Sequence, residues 1–205
     1  PTESSENDTA SPRSPARKRW PTVNQANCCS CDRERLARKW FLCQVGCCPL
    51  SVSELIQNLT LEPHPEGGYY RRTYESSEIL LTDRGRRPAM TSILYLLPGG
   101  DRSRWHRIRS NERWLHHSGG VLEVVHFAAG SPQFQRLGSA EDLQMPYIDV
   151  PADCWFAARP LSPGGYVLAS CVVCPGFDFS DFEIANLGTL LKAYPAHAEL
   201  ILRFA

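Results

Sequence analysis

Between Arg104 and His117 the chain places Arg104, His106, Glu112 and His116 at alternating positions, with His117 beside the last of them. These residue types suit proton transfer. Histidine titrates nearest neutrality, and a neighbouring carboxylate fixes its tautomer and adjusts its proton affinity. His106 therefore reads as a general base oriented or tuned by Glu112, with a tyrosine or second histidine returning the proton on the opposite face of a substrate. Such chemistry needs no metal. In extended chain, residues two apart share a face, so Glu112, Trp114 and His116 point one way, and Arg104, His106 and Ile108 line the neighbouring strand. On this register a barrel mouth presents Arg104, His106, Glu112 and His116 around apolar Ile108 and Trp114.

Other side chains suit ligand binding. Trp105, Trp114 and Trp155 offer apolar walls for a small molecule. Glu66 and Arg71 have two readings. In one, Arg71 reaches the barrel mouth with Glu66 and clamps a carboxylate or phosphate in bidentate fashion. In the other, Tyr69, Tyr70, Arg71, Arg72 and Tyr74 are an ordinary edge strand at a dimer seam. His64 and His126 read as structural, and Asp178, Asp181 and Glu183 as capping or surface acids near a helix start.

The elements that must position these residues are mostly strands. Ser51 and Glu54 have the spacing of a capping box, and Val52, Leu55, Ile56 and Leu59 form an apolar stripe, so a helix starts the folded region. After Thr60 the texture becomes short apolar runs broken by Gly and Pro, the pattern of a β-sandwich or barrel. Strands are expected at 68–74, 91–97, 104–108, 113–116, 121–128, 133–137, 145–150, 155–158, 166–173 and 200–204. Phe182, Ala185, Leu187, Leu190 and Leu191 recur at roughly helical intervals, which places a helical segment within 181–192.

Composition bounds the rest. A chain of 205 residues suits one domain plus a tail. Formal net charge is zero, but residues 1–50 carry eight Lys/Arg against five Asp/Glu, leaving fourteen against seventeen. A weakly acidic domain without a basic patch argues against nucleic acid as partner. No apolar run is long enough to span a membrane, and no secretory signal is visible, so a cytoplasmic protein is expected. Residues 1–27, rich in Ser, Pro and charge, are expected to be disordered. Residues 33–42 have the pattern of a short amphipathic helix.

Six of the nine cysteines, Cys28, Cys29, Cys31, Cys43, Cys47 and Cys48, fall in this extension. Cys28, Cys31, Cys43 and Cys47 make two pairs of the kind that hold structural zinc, but the second pair is loosely spaced. Reduced cysteines in a poorly ordered extension are the expectation. The chain begins at Pro1 rather than Met, which leaves the completeness of its N-terminus open. Domain limits are therefore set at 1–50 for the Cys-rich extension and 51–205 for the folded domain.

Gly100, His106, Ile108, Glu112 and Gly119 fall at G-x5-H-x-I-x3-E-x6-G. This resembles the first signature motif of the cupin superfamily, with Ile108 where a second metal-binding histidine would stand. Leu61 to Arg71 (LEPHPEGGYYR), Ser103 to Arg107 (SRWHR) and Pro175 to Glu183 (PGFDFSDFE) look like segments of one cupin branch, similar to sugar-nucleotide epimerases and of largely unassigned function. The resemblance implies an all-β jelly-roll barrel with minor helices, usually paired as a homodimer. It also implies metal ligands at His106 and Glu112 only: the second motif, at Pro151 to Phe156, puts Phe156 at the histidine position. Two ligands hold a metal weakly, so no cofactor is expected beyond a weak divalent ion. The resemblance places a family histidine at His117, whereas strand parity favours His116; a bulge after Glu112 would reconcile them.

The expected function is a small-molecule pocket, serving either a metal-independent isomerase or epimerase acting on a sugar or sugar nucleotide, or a non-catalytic binding protein for a carbohydrate-like ligand. A metal-dependent cupin enzyme is the third reading. Fold alone does not choose among them.

Overall fold

The computed structural model describes residues 50–205. The disorder expected at 1–27, the helix at 33–42 and the six clustered cysteines lie outside the described residues.

Helix α1 (Val52–Leu59) starts where its cap dictates. The Ser51 hydroxyl accepts the Glu54 N–H at 3.2 Å, and the Glu54 carboxylate accepts the Ser51 N–H at 2.8 Å. Thr60, at φ 53°, ends the helix, and its apolar stripe packs with Leu61 against Leu96. In chain order the strands are β1 (Glu62–Pro63), β2 (Tyr69–Glu75), β3 (Ile79–Thr82), β4 (Gly85–Pro88), β5 (Thr91–Pro98), β6 (Ser103–Ile108), β7 (Asn111–Gly119), β8 (Leu122–Ala128), β9 (Ser131–Leu137), β10 (Tyr147–Val150), β11 (Phe156–Pro160), β12 (Tyr166–Cys174) and β13 (Phe182–Ile184). Helices α2 (Leu187–Ala193) and α3 (Ala198–Arg203) close the chain.

Two antiparallel sheets make a jelly roll. One has the order β1-β2-β5-β12-β7-β10 and the other β13-β6-β11-β8-β9. Their edges are not laddered into a closed barrel; β9 approaches the β10 side through the single bridge Leu137–Met145. Alternation along the strands sends Tyr95, Trp114, Cys171 and Val173 from the first sheet and Leu122, Val124 and Phe156 from the second into one shared core. Each such buried side chain contributes about 1.5–3 kcal/mol of transfer free energy.

A second apolar cluster covers the outer face of the second sheet. Trp105, Val125, Phe127 and Ala157 meet Leu190, Ile201 and Phe204 from the C-terminal helices, and the Trp105 indole donates to the Ile201 carbonyl at 3.0 Å.

Three readings of the sequence need correction. Residues 200–204, expected as a strand, belong to α3 and its cap, because Ile201 and Phe204 share a helical face that covers Trp105 and Phe127. The helix expected within 181–192 starts only at Leu187, capped by the Asn186 side chain on Thr189 N–H; Phe182–Ile184 is a strand edging β6. The hairpin β3–β4 was not foreseen. Its strand β4 reads Gly-Arg-Arg-Pro, which carries no alternating apolar signal.

Candidate functional site

One end of the space between the sheets opens as a cavity of about 520 Å³ including its mouth. β2 supplies Tyr70 and Arg72; β5 supplies Thr91, Ile93 and Tyr95. His106 and Ile108 enter from β6, Glu112 from β7, and Cys171 and Val173 from β12. His64 and Glu66 reach in from the loop after β1, and Phe177, Phe179 and Phe182 form one wall.

The side chain of His106 faces inward with that of Ile108, and a bulge in β6 brings Ser103 to the same side. His106 pairs with Phe156 and Ser103 with Ala158, so Arg104 and Trp105 together oppose a single residue of β11. Ser103 and His106 consequently turn into the barrel, while Trp105 enters the outer cluster and Arg104 folds over the surface. The loop carrying Glu66 is held close by two glycines. Gly67 has φ +117°, and a Cβ there would stand 2.2 Å from the Arg102 carbonyl oxygen. Tyr95 anchors the same turn by donating its hydroxyl to the Gly67 carbonyl at 2.8 Å.

These local devices deliver Glu66 onto His106. The Nε2 atom of His106 lies 3.1 Å from Glu66 Oε2, and Ser103 donates to Glu66 Oε1 at 2.8 Å. His64 Nδ1 lies 3.4 Å from the same Oε2. His106 Nδ1 is 2.7 Å from the Arg104 carbonyl, an acceptor only, so Nδ1 carries a proton. Nε2 then faces a carboxyl oxygen, and two lone pairs would repel. One further proton must therefore lie between Nε2 and Oε2.

Burial sets which partner holds it. His106 is 2% exposed and Glu66 5%. Desolvation brings His106 down to about 4, the Arg104 carbonyl opposing weakly, and raises Glu66, with the proximity of His64 opposing. Both directions favour the neutral pair: Glu66 donates and His106 accepts. Burial, the largest cause, also pushes Glu112 up to about 8, and burial lowers His64. The Phe156 ring lies 3.9 Å, centroid to centroid, from that of His106.

Of the residues singled out in the sequence, His106, Glu112 and Glu66 come together around this cavity. The others lie elsewhere. Arg104, expected at the mouth, is turned out by the β6 bulge and donates to the Pro65 and Glu66 carbonyls. Arg71 points away from the cavity, since Tyr70 and Arg72 take the inward face of β2. Trp114 is core beneath the site, set edge-on to Tyr95 at 5.4 Å. Trp155 is outside, under the Arg107 guanidinium at 4.6 Å.

Neither histidine candidate on β7 lines the cavity. His116 keeps the parity of Glu112 but lies four residues, about 13 Å, further along the strand. Its Nε2 is 3.3 Å from the Gly120 carbonyl. The expected bulge exists, but between His116 and Ser118 rather than just after Glu112, and it sends His117 to the outer face and the Ser170 hydroxyl at 2.6 Å.

Conversely, His64, read as structural, lines the cavity, and Ser103 was not foreseen. Asp181, read as a cap or surface acid, is buried: Arg87 grips it in bidentate fashion at 2.8 and 3.0 Å, and Arg84 adds a contact at 3.1 Å. Asp178 does cap the short turn that follows it, and Glu183 is an exposed partner of Arg107.

A cupin-type metal is tested by the donor set. Ile108 and Phe156 put carbon at two of four ligand positions, and both side chains pack at the site. Glu66 is engaged by His106 and Ser103. Among the described residues no three His, Cys, Asp or Glu side chains are disposed to hold a metal ion, so the donors do not fit a resident one.

Residues 53–185 match the family described as Cupin superfamily (DUF985). Among solved structures, a hypothetical protein from Leishmania major is 31% identical with a TM-score of 0.71, covering 76% of this chain and 99% of its own. A protein from Shewanella oneidensis is also 31% identical with a TM-score of 0.69, covering 76% of this chain and 98% of its own. No curated protein matches the chain. Among the described residues no helix is long and apolar enough to cross a membrane. The His106 motif, the jelly roll that carries it and the family match agree: the chain belongs to the DUF985 family of the cupin superfamily.

Proposed function

We propose that the cavity is an acid–base site for a small polar molecule, and that the protein is a metal-independent isomerase or epimerase. The observation that supports this most is the His106–Glu66 pair. Its geometry obliges one proton to lie between Nε2 and Oε2, next to the cavity. A substrate that displaces Glu66 from Nε2 frees a neutral imidazole as base and leaves a protonated carboxyl as acid. Glu112, held protonated near neutrality by burial before a ligand binds, lines the same cavity. A base and a proton-carrying acid around one small chamber are what removal and return of a substrate proton require.

A second reading, a non-catalytic binding protein, draws support from the wall of Phe177, Phe179, Phe182 and Ile93. Apolar lining with a few convergent polar groups serves binding as well as turnover. The two readings separate in deuterated solvent. An isomerase labels its substrate at the exchanging carbon, and His106→Ala abolishes the label. A panel of sugars, amino sugars and nucleotide sugars that binds without labelling establishes the binding module instead. Pairing as a homodimer in the cytoplasm is part of the same proposal.

A further inference from the structure

The inner part of the cavity contains two carboxyls and no cation. Glu66 and Glu112 are both buried, and among the lining residues only Arg72 has a permanent positive charge. Arg72 stands at the exposed rim, where its guanidinium takes Glu75. Glu66 has His106, His64 and Ser103 around it. Glu112 forms no ion pair among the described residues, although it is only 8% exposed. An ionised carboxylate buried in this way costs several kcal/mol unless a positive charge joins it.

Part of the lining of the same cavity is aromatic. Phe177 meets Phe179 edge-on at 5.0 Å, Phe179 meets Phe182 at 6.1 Å with an interplanar angle of 88°, and Tyr70 is set edge-on to His64 at 4.6 Å. Perpendicular rings make a corner rather than a stack. Aromatic rings and a carboxyl without an ion-pair partner among the described residues, lining one cavity, are the surroundings in which an organic ammonium group is held, because both attract a diffuse positive charge without having to coordinate it. An anionic head would find no interior cation among the described residues. Metal ions need converging donors, and Ile108 and Phe156 deny them.

We propose that the cavity selects small organic cations, seating an ammonium head between Glu112 and the Phe177–Phe179–Phe182 corner, with a neighbouring hydroxyl or carbonyl carbon presented to His106 and Glu66. This rests on the reading of the cavity as a small-molecule site and names its substrate class: amine-bearing polar molecules such as amino alcohols and amino sugars. Phosphorylated groups stay outside, within reach of Arg72.

Calorimetric titration of the full chain tests it. The titrants are choline, ethanolamine, the uncharged carbon isostere of choline (neohexyl alcohol), the matching anion (tert-butylacetate), and zinc and manganese ions separately. Choline or ethanolamine should bind about tenfold more tightly than neohexyl alcohol, and the anion should give no binding heat. Glu112→Gln should erase the cation preference while melting no lower than the parent protein. Equal binding of the alcohol, tighter binding of the anion, a preference that survives Glu112→Gln, stoichiometric metal that the amines do not displace, or no binding by any probe would each overturn the proposal. Solvent label entering a substrate without amine binding would overturn the cation preference and leave the acid–base reading standing. Amine binding without labelling of any substrate would do the reverse.

Discussion

Glu66, from a loop that precedes the first long strand, completes its contacts on His106 and on Ser103, which a bulge in β6 brings to the same side as His106. Strand alternation alone does not bring the two together. The pair depends on two backbone irregularities, the tight turn at Gly67 and the doubled position at Arg104 and Trp105, so its proton chemistry is sensitive to changes that touch neither side chain.

Gly67→Ala is the sharpest such change. Its Cβ would stand 2.2 Å from the Arg102 carbonyl at a backbone φ of +117°, so the loop must move and take Glu66 with it. We expect a loss of about 2–4 kcal/mol in urea unfolding. If the fold persists, the His106 pKa should rise toward its ordinary value as water enters. An unchanged His106 titration would mean that the loop does not hold the pair.

Asp181 joins the β3–β4 hairpin to the segment bearing Phe179 and Phe182. Arg87 first, and Arg84 with it, hold its carboxyl below the usual range. A depressed carboxylate stabilises the fold above its unfolded pKa and loses that contribution as pH falls through the folded one. Asp181→Asn should therefore destabilise the protein near neutrality by about 3 kcal/mol, leaving two arginines short of a partner, and should flatten the acid side of the stability profile. Equal slopes below pH 4 in both proteins would contradict the assignment.

Glu112 works in the opposite sense. Its folded pKa is raised to about 8, chiefly by burial. Between its ordinary value and 8 the folded state binds more protons than the unfolded one, so this group makes stability fall as pH rises through that window. Glu112→Gln should melt higher than the parent at pH 8, by roughly 1–3 kcal/mol, and nearly equal to it at pH 4. A lower melting temperature at pH 8 would show that the carboxylate is stabilised by a partner.

The sequence was most legible where chemistry and regular geometry coincide. His106 and Glu112 are two strand residues on inward positions, and their motif located the cavity. α1 was legible from Ser51 and Glu54 because a capping box is local. Parity failed wherever a bulge intervened: it kept Arg104 with His106 and could not tell that His117 leaves the barrel. His64 and Ser103 were hidden for another reason. Their role arises only when a loop and a bulged strand meet at Glu66, a contact between distant segments that no period encodes. Asp181 looked like a surface acid because its two arginines lie in a hairpin with no strand signal. Even so, the two glycines after Glu66 marked a turn at positive φ, the one local hint that its carboxyl is tucked in.

His117→Ala and Trp155→Ala separate the cavity from its surroundings. Both side chains lie outside it, so each variant should retain ligand binding and any solvent exchange within about twofold of the parent, as expected for sites with no shared partners. Loss of binding in His117→Ala would move the site toward the other end of β7.

The most direct measurement is nitrogen-15 NMR of the His106 ring across pH 5 to 8, in the parent protein and in Glu66→Gln. The account predicts a neutral ring throughout, protonated at Nδ1, with Nε2 shifted as a hydrogen-bond acceptor in the parent and altered in Glu66→Gln. A ring that titrates near its ordinary value, carries its proton on Nε2, or gives the same spectrum in Glu66→Gln would contradict the shared-proton pair on which the proposed chemistry depends.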